Sequence, residues 1–129
     1  MRSIAFLSHK GGVGRTTLAA SLAVAAVRAG ERVIALDLDP QASLVRRGER
    51  RKAANTPNKL VIEPLEGDRL PLLHAILEGL AEAGFTIAIF DTPANGTIAR
   101  RVALTADICL LPMRPTRLEK VWLSPHSRR

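Results

Sequence analysis

A glycine-rich segment placed directly behind a short apolar run constrains the fold of this 129-residue chain more than any other feature. The apolar run covers residues 4–7, and the segment behind it reads Lys10, Gly11, Gly12, Val13, Gly14, Arg15, Thr16, Thr17. This order predicts a strand, a turn whose glycines let the backbone approach a ligand, and a helix whose first N–H groups have no partner within the helix. Because free N–H groups at a helix start bind anions, the segment predicts a phosphate cradle.

The segment departs from the general phosphate-binding loop pattern at two positions, since His9 replaces the first glycine and Arg15 replaces the lysine. It resembles the deviant Walker A box of the ParA/MinD family of partitioning ATPases, whose mark is an extra lysine at the start, here Lys10. The resemblance implies that Lys10 has a catalytic role and reaches across a dimer to the nucleotide of the second subunit. Family members carry lysine where this chain has Arg15, and a planar guanidinium cannot replace a compact ammonium unchanged. We therefore expect ATP binding to survive better than ATP hydrolysis.

Acidic residues follow two of the apolar runs, at the strand ends where an open α/β sheet binds its ligands. Asp37 and Asp39 resemble the switch I segment of the ParA/MinD family, which implies that Asp39 orients or activates the attacking water. Asp37 either does a structural job or helps to order the magnesium shell. The alternative for both is an Asp-Pro turn whose carboxylates only cap the next helix. Asp91 resembles a Walker B carboxylate, which implies that it holds a magnesium-bound water while the Thr16 hydroxyl binds Mg²⁺ directly.

Apolar runs alternate with helical patterns, as is typical of a parallel sheet with helices on both faces. The patterns predict strands at residues 4–7, 33–37, 60–62, 86–90 and 108–111, and helices at residues 16–29 and after Pro71, with Gly30 and Gly84 ending the helices. Cys109 lies in the last apolar run and is expected to be buried. The predicted fold class is α/β, resembling P-loop NTPases, with a mostly parallel sheet of about five strands. We expect one ParA-like nucleotide-binding domain of the CobQ/CobB/MinD/ParA type over residues 1–129.

A formal net charge of +7 favours polyanionic partners. Basic residues concentrate at 46–52, where helical spacing aligns Arg46 with Arg50 and Arg47 with Arg51, so this run is either a DNA contact or a solvated helix face. The family resemblance implies an ATP-dependent homodimer, non-specific DNA and a centromere-binding partner protein. Because no targeting segment or membrane span is visible, a cytoplasmic protein without membrane insertion is expected.

The carboxyl-terminal part is shorter than the resemblance leads us to expect. Residues 116–119 have the spacing of a helix capping box, but only a few residues separate them from Pro125. We therefore expect a chain truncated at its carboxyl end. Two functions stay open: an ATP- and magnesium-dependent ATPase of plasmid or chromosome partitioning, and a catalytically inactive remnant acting as a nucleotide-binding or dimerisation module. A membrane-cycling relative of MinD is disfavoured because residues 121–123 are too few for an amphipathic helix.

Overall fold

The computed structural model describes residues 1–7, 15–53, 60–93 and 96–112, with the backbone alone for residues 15 and 50–53. The elements are, in chain order, β1 (Arg2–Phe6), α1 (Arg15–Arg28), β2 (Val33–Asp37), α2 (Ser43–Ala53), β3 (Leu60–Pro64), a 3-10 helix (Gly67–Leu72), α3 (Leu73–Glu82), β4 (Ile87–Asp91), α4 (Gly96–Thr105) and β5 (Ile108–Leu110). In the described part of the chain, no helix has both the length and the apolar character that a membrane crossing requires.

The five strands form one parallel sheet in the order β3-β2-β4-β1-β5. In this register Asp37 of β2 lies beside Asp91 of β4, and Phe6 of β1 lies on the other side of Asp91. Because parallel strands end at the same edge, the carboxyl ends of β1, β2 and β4 meet where an open α/β sheet binds its ligands. The prediction of an α/β fold with about five parallel strands is confirmed.

Helices cover both faces of the sheet. One face packs against α1 and α2, and the other against the 3-10 helix, α3 and α4. The buried side chains that the helices contribute are Ala19, Ala23, Ala26 and Leu44 on the first face and Leu70, Leu73 and Val102 on the second. The small alanines let α1 approach β2 and β4 closely. The first turn of α1 lies at the carboxyl edge of the sheet, where Thr16 contacts Asp91 at the end of β4.

Glycines end two of the helices, as the sequence predicts. Gly30 follows α1 with φ of +92°, its N–H donates to the carbonyl of Val27 at 3.0 Å, and the Glu31 N–H donates to the carbonyl of Ala26 at 3.0 Å. This pair of bonds is a Schellman motif, which satisfies carbonyls at the end of the helix. Gly84 follows α3 with φ of +98°.

The structure differs from the sequence-based expectation in the helices it adds, in the ends of several strands and in the exposure of Cys109. Apolar periodicity indicates neither α2 nor α4, and β3 continues to Pro64 rather than ending at residue 62. Cys109 is exposed, so the prediction that it is buried is wrong. Among the described residues β5 lies at the edge of the sheet and its three residues are all exposed, whereas an apolar run predicts a strand but not its place in the sheet. The capping box at residues 116–119 and residues 121–123 lie outside the described residues.

Candidate functional site

The first turn of α1 is joined to the end of β4 by a side-chain hydrogen bond. The Thr16 hydroxyl donates to Oδ2 of Asp91 at 2.8 Å, although the two residues lie 75 positions apart in the sequence. Asp91 is fully buried and Thr16 is half-buried. The fold therefore brings together two of the residues, Thr16 and Asp91, that the family resemblance implied would hold magnesium. A hydroxyl and a carboxylate supply the hard oxygen atoms that Mg²⁺ prefers.

Asp37 is a second buried carboxylate beside Asp91, and its oxygens hold the start of α2. Oδ1 accepts the N–H of Asp39 at 3.0 Å, while Oδ2 accepts the N–H groups of Leu44 at 3.0 Å and Val45 at 3.2 Å. Burial raises the pKa of Asp37 above its ordinary value and the charge of Asp91 acts in the same direction, whereas the three N–H donors oppose them. Two carboxylates side by side make this edge of the sheet favourable for a cation.

Asp39 lies in the turn between β2 and α2. Its Oδ1 accepts the N–H of Gln41 at 2.9 Å, and its carbonyl accepts the N–H of Ala42 at 2.9 Å. Ala42 has φ of +53°, a left-handed conformation that costs a residue with a side chain about 1–2 kcal/mol. The turn thus holds Asp39 half-buried near the carboxyl end of β2 in a locally bonded, strained segment.

Arg47 connects α2 to the first turn of α1. Its Nη2 donates to the Thr17 hydroxyl at 3.0 Å, and both residues are exposed. The sequence placed Arg47 in a basic run and Thr17 in the phosphate cradle, but no pattern linked them. A side chain that reaches from one helix to another depends on how the two helices pack, which spacing along the chain does not encode.

Thr92 fastens the residue after Asp91 to the neighbouring strand. Its hydroxyl, which is fully buried, donates to the carbonyl of Phe6 at 2.7 Å. On the other side, the N–H of Leu38 donates to the carbonyl of Asp91 at 2.9 Å. Thr92 was not singled out as a site residue, although it belongs to the Asp-Thr-Pro sequence that follows β4. These bonds hold Asp91 on both sides.

The backbone and side chains of five predicted binding residues lie outside the described residues, namely Lys10, Gly11, Gly12, Val13 and Gly14. Arg15 is described as the first residue of α1, without its side chain. The first turn of α1 contains no acidic residue of its own, and the Asp91 carboxylate lies against it through the hydrogen bond from Thr16. Within the described ranges there is no cluster of three or more His, Cys, Asp or Glu side chains placed to hold a metal ion. That finding is compatible with Mg²⁺, which needs only one or two protein oxygens beside phosphate and water.

Several curated proteins resemble this chain, among them the two that follow. The maintenance of carboxysome distribution protein A of Gloeobacter kilaueensis is 38% identical over 120 residues, which cover 92% of this chain and 51% of that protein. The chromosome-partitioning ATPase Soj of Thermus thermophilus is 33% identical over 117 residues, covering 74% of this chain and 47% of that protein. The chain thus spans about half the length of the curated relatives it matches.

A solved structure shares the fold. Cobyrinic acid a,c-diamide synthase from Mycobacterium smegmatis, with a bound ATP analogue and magnesium, is 25% identical and matches with a TM-score of 0.68. The match covers 99% of this chain and 68% of that chain.

A family model matches most of the chain. The model describes the CobQ/CobB/MinD/ParA nucleotide-binding domain and matches residues 4–108, a range that contains α1 and the Thr16–Asp91 pair. With a match of this extent, the chain belongs to the CobQ/CobB/MinD/ParA nucleotide-binding domain family.

Proposed function

We propose that this chain is a ParA-like partitioning ATPase that binds ATP and Mg²⁺ at the carboxyl edge of its sheet. The hydrogen bond between Thr16 and Asp91 carries the proposal, because it joins a helix start to a buried carboxylate in the arrangement that nucleotide-bound magnesium requires. Two relatives support it. Soj is named a chromosome-partitioning ATPase, and the structure of the cobyrinic acid enzyme holds an ATP analogue and magnesium.

Magnesium fits the oxygen atoms of this edge, where it would balance the negative charge of the phosphates. The Thr16 hydroxyl would bind it directly and Asp91 would bind it through a water molecule. Asp37 would help to order the magnesium shell, because its Oδ1 accepts one N–H and keeps a lone pair for a water molecule. Burial is the main cause of the raised pKa of Asp37 and the charge of Asp91 adds to it, so a cation beside the two carboxylates would lower that pKa.

The phosphates would lie against the N–H groups at the start of α1. The binding residues in this proposal are Lys10, Gly11, Gly12, Val13, Gly14, Arg15, Thr16 and Thr17. The helix dipole favours an anion at this point, and no acidic residue in the first turn of α1 opposes it.

Hydrolysis would depend on Asp39 orienting or activating the attacking water, with Lys10 contributing from the second subunit. A second candidate function is an inactive nucleotide-binding or dimerisation module. Arg15 is the observation that favours it, because this residue stands where the family has a lysine. Our proposal also covers partners: an ATP-dependent homodimer, non-specific DNA and a centromere-binding protein, all in the cytoplasm. The net charge of +7 supports the DNA partner.

The magnesium dependence of ATP binding tests the proposal. ATP would be titrated calorimetrically into the wild-type chain, Asp91→Asn and the control Asp68→Asn, an exposed carboxylate of the 3-10 helix, in Mg²⁺ or in EDTA. Wild type and control should bind ATP more tightly in Mg²⁺ than in EDTA. In Mg²⁺, Asp91→Asn should bind ATP about 10- to 100-fold more weakly than the control. Equal affinity of the wild type in Mg²⁺ and EDTA, or of Asp91→Asn and the control, contradicts the proposal.

Phosphate release separates the two candidate functions. Turnover by the wild type that Asp39→Ala abolishes would support the ATPase. Binding without turnover, even in Arg15→Lys, would support the inactive module.

A further inference from the structure

The contact between Arg47 and Thr17 places a cation beside the start of α1. The guanidinium lies 3.0 Å from the Thr17 hydroxyl, and Thr17 is in the first turn of a helix that begins at Arg15. A helix start carries a partial positive charge of roughly half an elementary charge, so a cation there is unfavourable by itself. The first turn of α1 contains no acidic residue of its own, and the acidic group shown beside it is the Asp91 carboxylate that accepts the Thr16 hydroxyl.

The guanidinium of Arg47 also has N–H groups left to donate to a ligand. Arginine carries five N–H donors, and the Arg47 side chain uses one of them in its hydrogen bond to Thr17. Within the described ranges, no acidic side chain pairs with Arg47. Arg47 is exposed, so a solute can reach it. The planar fork of arginine matches the oxygen atoms of a phosphate group and forms two parallel hydrogen bonds with them.

The element that carries Arg47 is held firmly in place. The Asp37 carboxylate binds the N–H groups of Leu44 and Val45 at the start of α2, and Leu44 is fully buried. Asp37 in turn lies beside Asp91 in the sheet register. Because Arg47 is on the second turn of a helix anchored next to the Thr16–Asp91 pair, little freedom of the helix is lost when the guanidinium binds a ligand.

We propose that Arg47 is a phosphate-binding residue of the nucleotide site, so that α2 lines this site together with the start of α1. This inference rests on the proposed binding of ATP. The guanidinium contributes charge-assisted hydrogen bonds to the polyphosphate chain. Bound nucleotide would therefore help to hold the basic helix α2 in position. The contact to Thr17 holds the side chain in place before the nucleotide arrives.

The affinity of the full chain for ATP in excess Mg²⁺ tests this role. Arg47→Ala should weaken ATP binding by about 10- to 100-fold, the range expected for hydrogen bonds to a charged group. Arg28→Ala is the matched control, because it removes the same charge from the last turn of α1, at the other end of the helix, and it should change the affinity by less than about twofold. Equal affinities of the two variants would overturn the inference.

Arg47→Gln separates phosphate binding from a structural role. Glutamine can still donate to Thr17 but carries no charge. If Arg47 binds phosphate, Arg47→Gln should bind ATP as weakly as Arg47→Ala does. Its ATP affinity should also depend less on salt than that of the Arg28→Ala control. Recovery of wild-type affinity in Arg47→Gln would overturn the inference. If the wild type itself binds no ATP, the proposed function fails. If wild type and control bind and both Arg47 variants bind equally well, only the role of Arg47 fails.

Discussion

Replacing Asp37 with alanine should destabilise the chain, because this carboxylate holds three backbone N–H groups. Asp37 is 2% exposed and accepts hydrogen bonds from Asp39, Leu44 and Val45. Alanine leaves all three donors without this acceptor. The loss falls on the start of α2 and on the turn that contains Asp39, so both local structure and the site are affected.

The size of the effect follows from the burial of each donor. The Leu44 N–H is buried, and a buried donor without an acceptor costs about 1–3 kcal/mol. The Asp39 and Val45 N–H groups are partly buried, and losing an ordinary hydrogen bond costs about 1 kcal/mol each. Removing the buried charge of Asp37 next to Asp91 offsets part of this loss in the free energy of unfolding, as the raised pKa of Asp37 indicates. We expect a net loss of about 2–4 kcal/mol from a stability that is roughly 5–15 kcal/mol in most domains.

Urea unfolding followed by circular dichroism at pH 7 measures this loss. Asp68→Ala, which removes an exposed carboxylate, is the control and should shift the free energy of unfolding by less than about 0.5 kcal/mol. Asp37→Asn keeps one acceptor oxygen and should lie between wild type and Asp37→Ala. The reasoning is refuted if Asp37→Ala is as stable as the control.

Three further predictions concern the same region. Gly48→Ala should destabilise the fold by about 1 kcal/mol despite the better helix propensity of alanine, because its Cβ would lie 2.9 Å from Cδ1 of Ile62. Adding Ile62→Val to Gly48→Ala should recover part of the melting temperature. An unchanged melting temperature of Gly48→Ala alone would show that its Cβ does not clash with Ile62. Ala42→Gly should raise stability by about 0.5 kcal/mol, since it relieves a φ of +53°, and a lower melting temperature would refute this. Because the folded pKa of Asp37 lies above 3.8, protonation favours the folded state. The stability of wild type relative to Asp37→Asn should therefore increase as pH falls from 7 through the raised pKa towards 3.8, and the reverse trend in urea unfolding would contradict the raised pKa.

The sequence was sufficient to predict the five strands but not their order in the sheet. Short runs of apolar residues indicated each strand, and for β2 and β4 the reason is that strands buried on both faces are continuously apolar. Gly30 and Gly84 indicated helix ends, since a left-handed residue at that position favours glycine. Cys109 shows the limit of this reasoning: the run that contains it does form a strand, but strand order decides exposure, and strand order is not encoded in a single run.

Part of the site followed from the sequence in the same way. Carboxylates at the ends of two apolar runs predicted that Asp37 and Asp91 would lie at one edge of the sheet, and the register puts them side by side. The contact of Arg47 with Thr17 could not be predicted, because α2 has a basic rather than an apolar pattern and the contact depends on how α2 lies against α1. The same carboxylate that the sequence left between a structural and a magnesium role is thus the one that holds this helix.

The amide resonances of Thr16 and Thr17 test the central claim most directly. A chain of 13.9 kDa labelled with ¹⁵N is small enough for these signals to be followed by NMR while ATP and Mg²⁺ are added. If the start of α1 binds phosphate, both amides should shift saturably with ATP and Mg²⁺ and stay unchanged with adenosine at the same concentration. Amides that do not move at millimolar ATP, in a chain whose other resonances show it to be folded, would contradict the account.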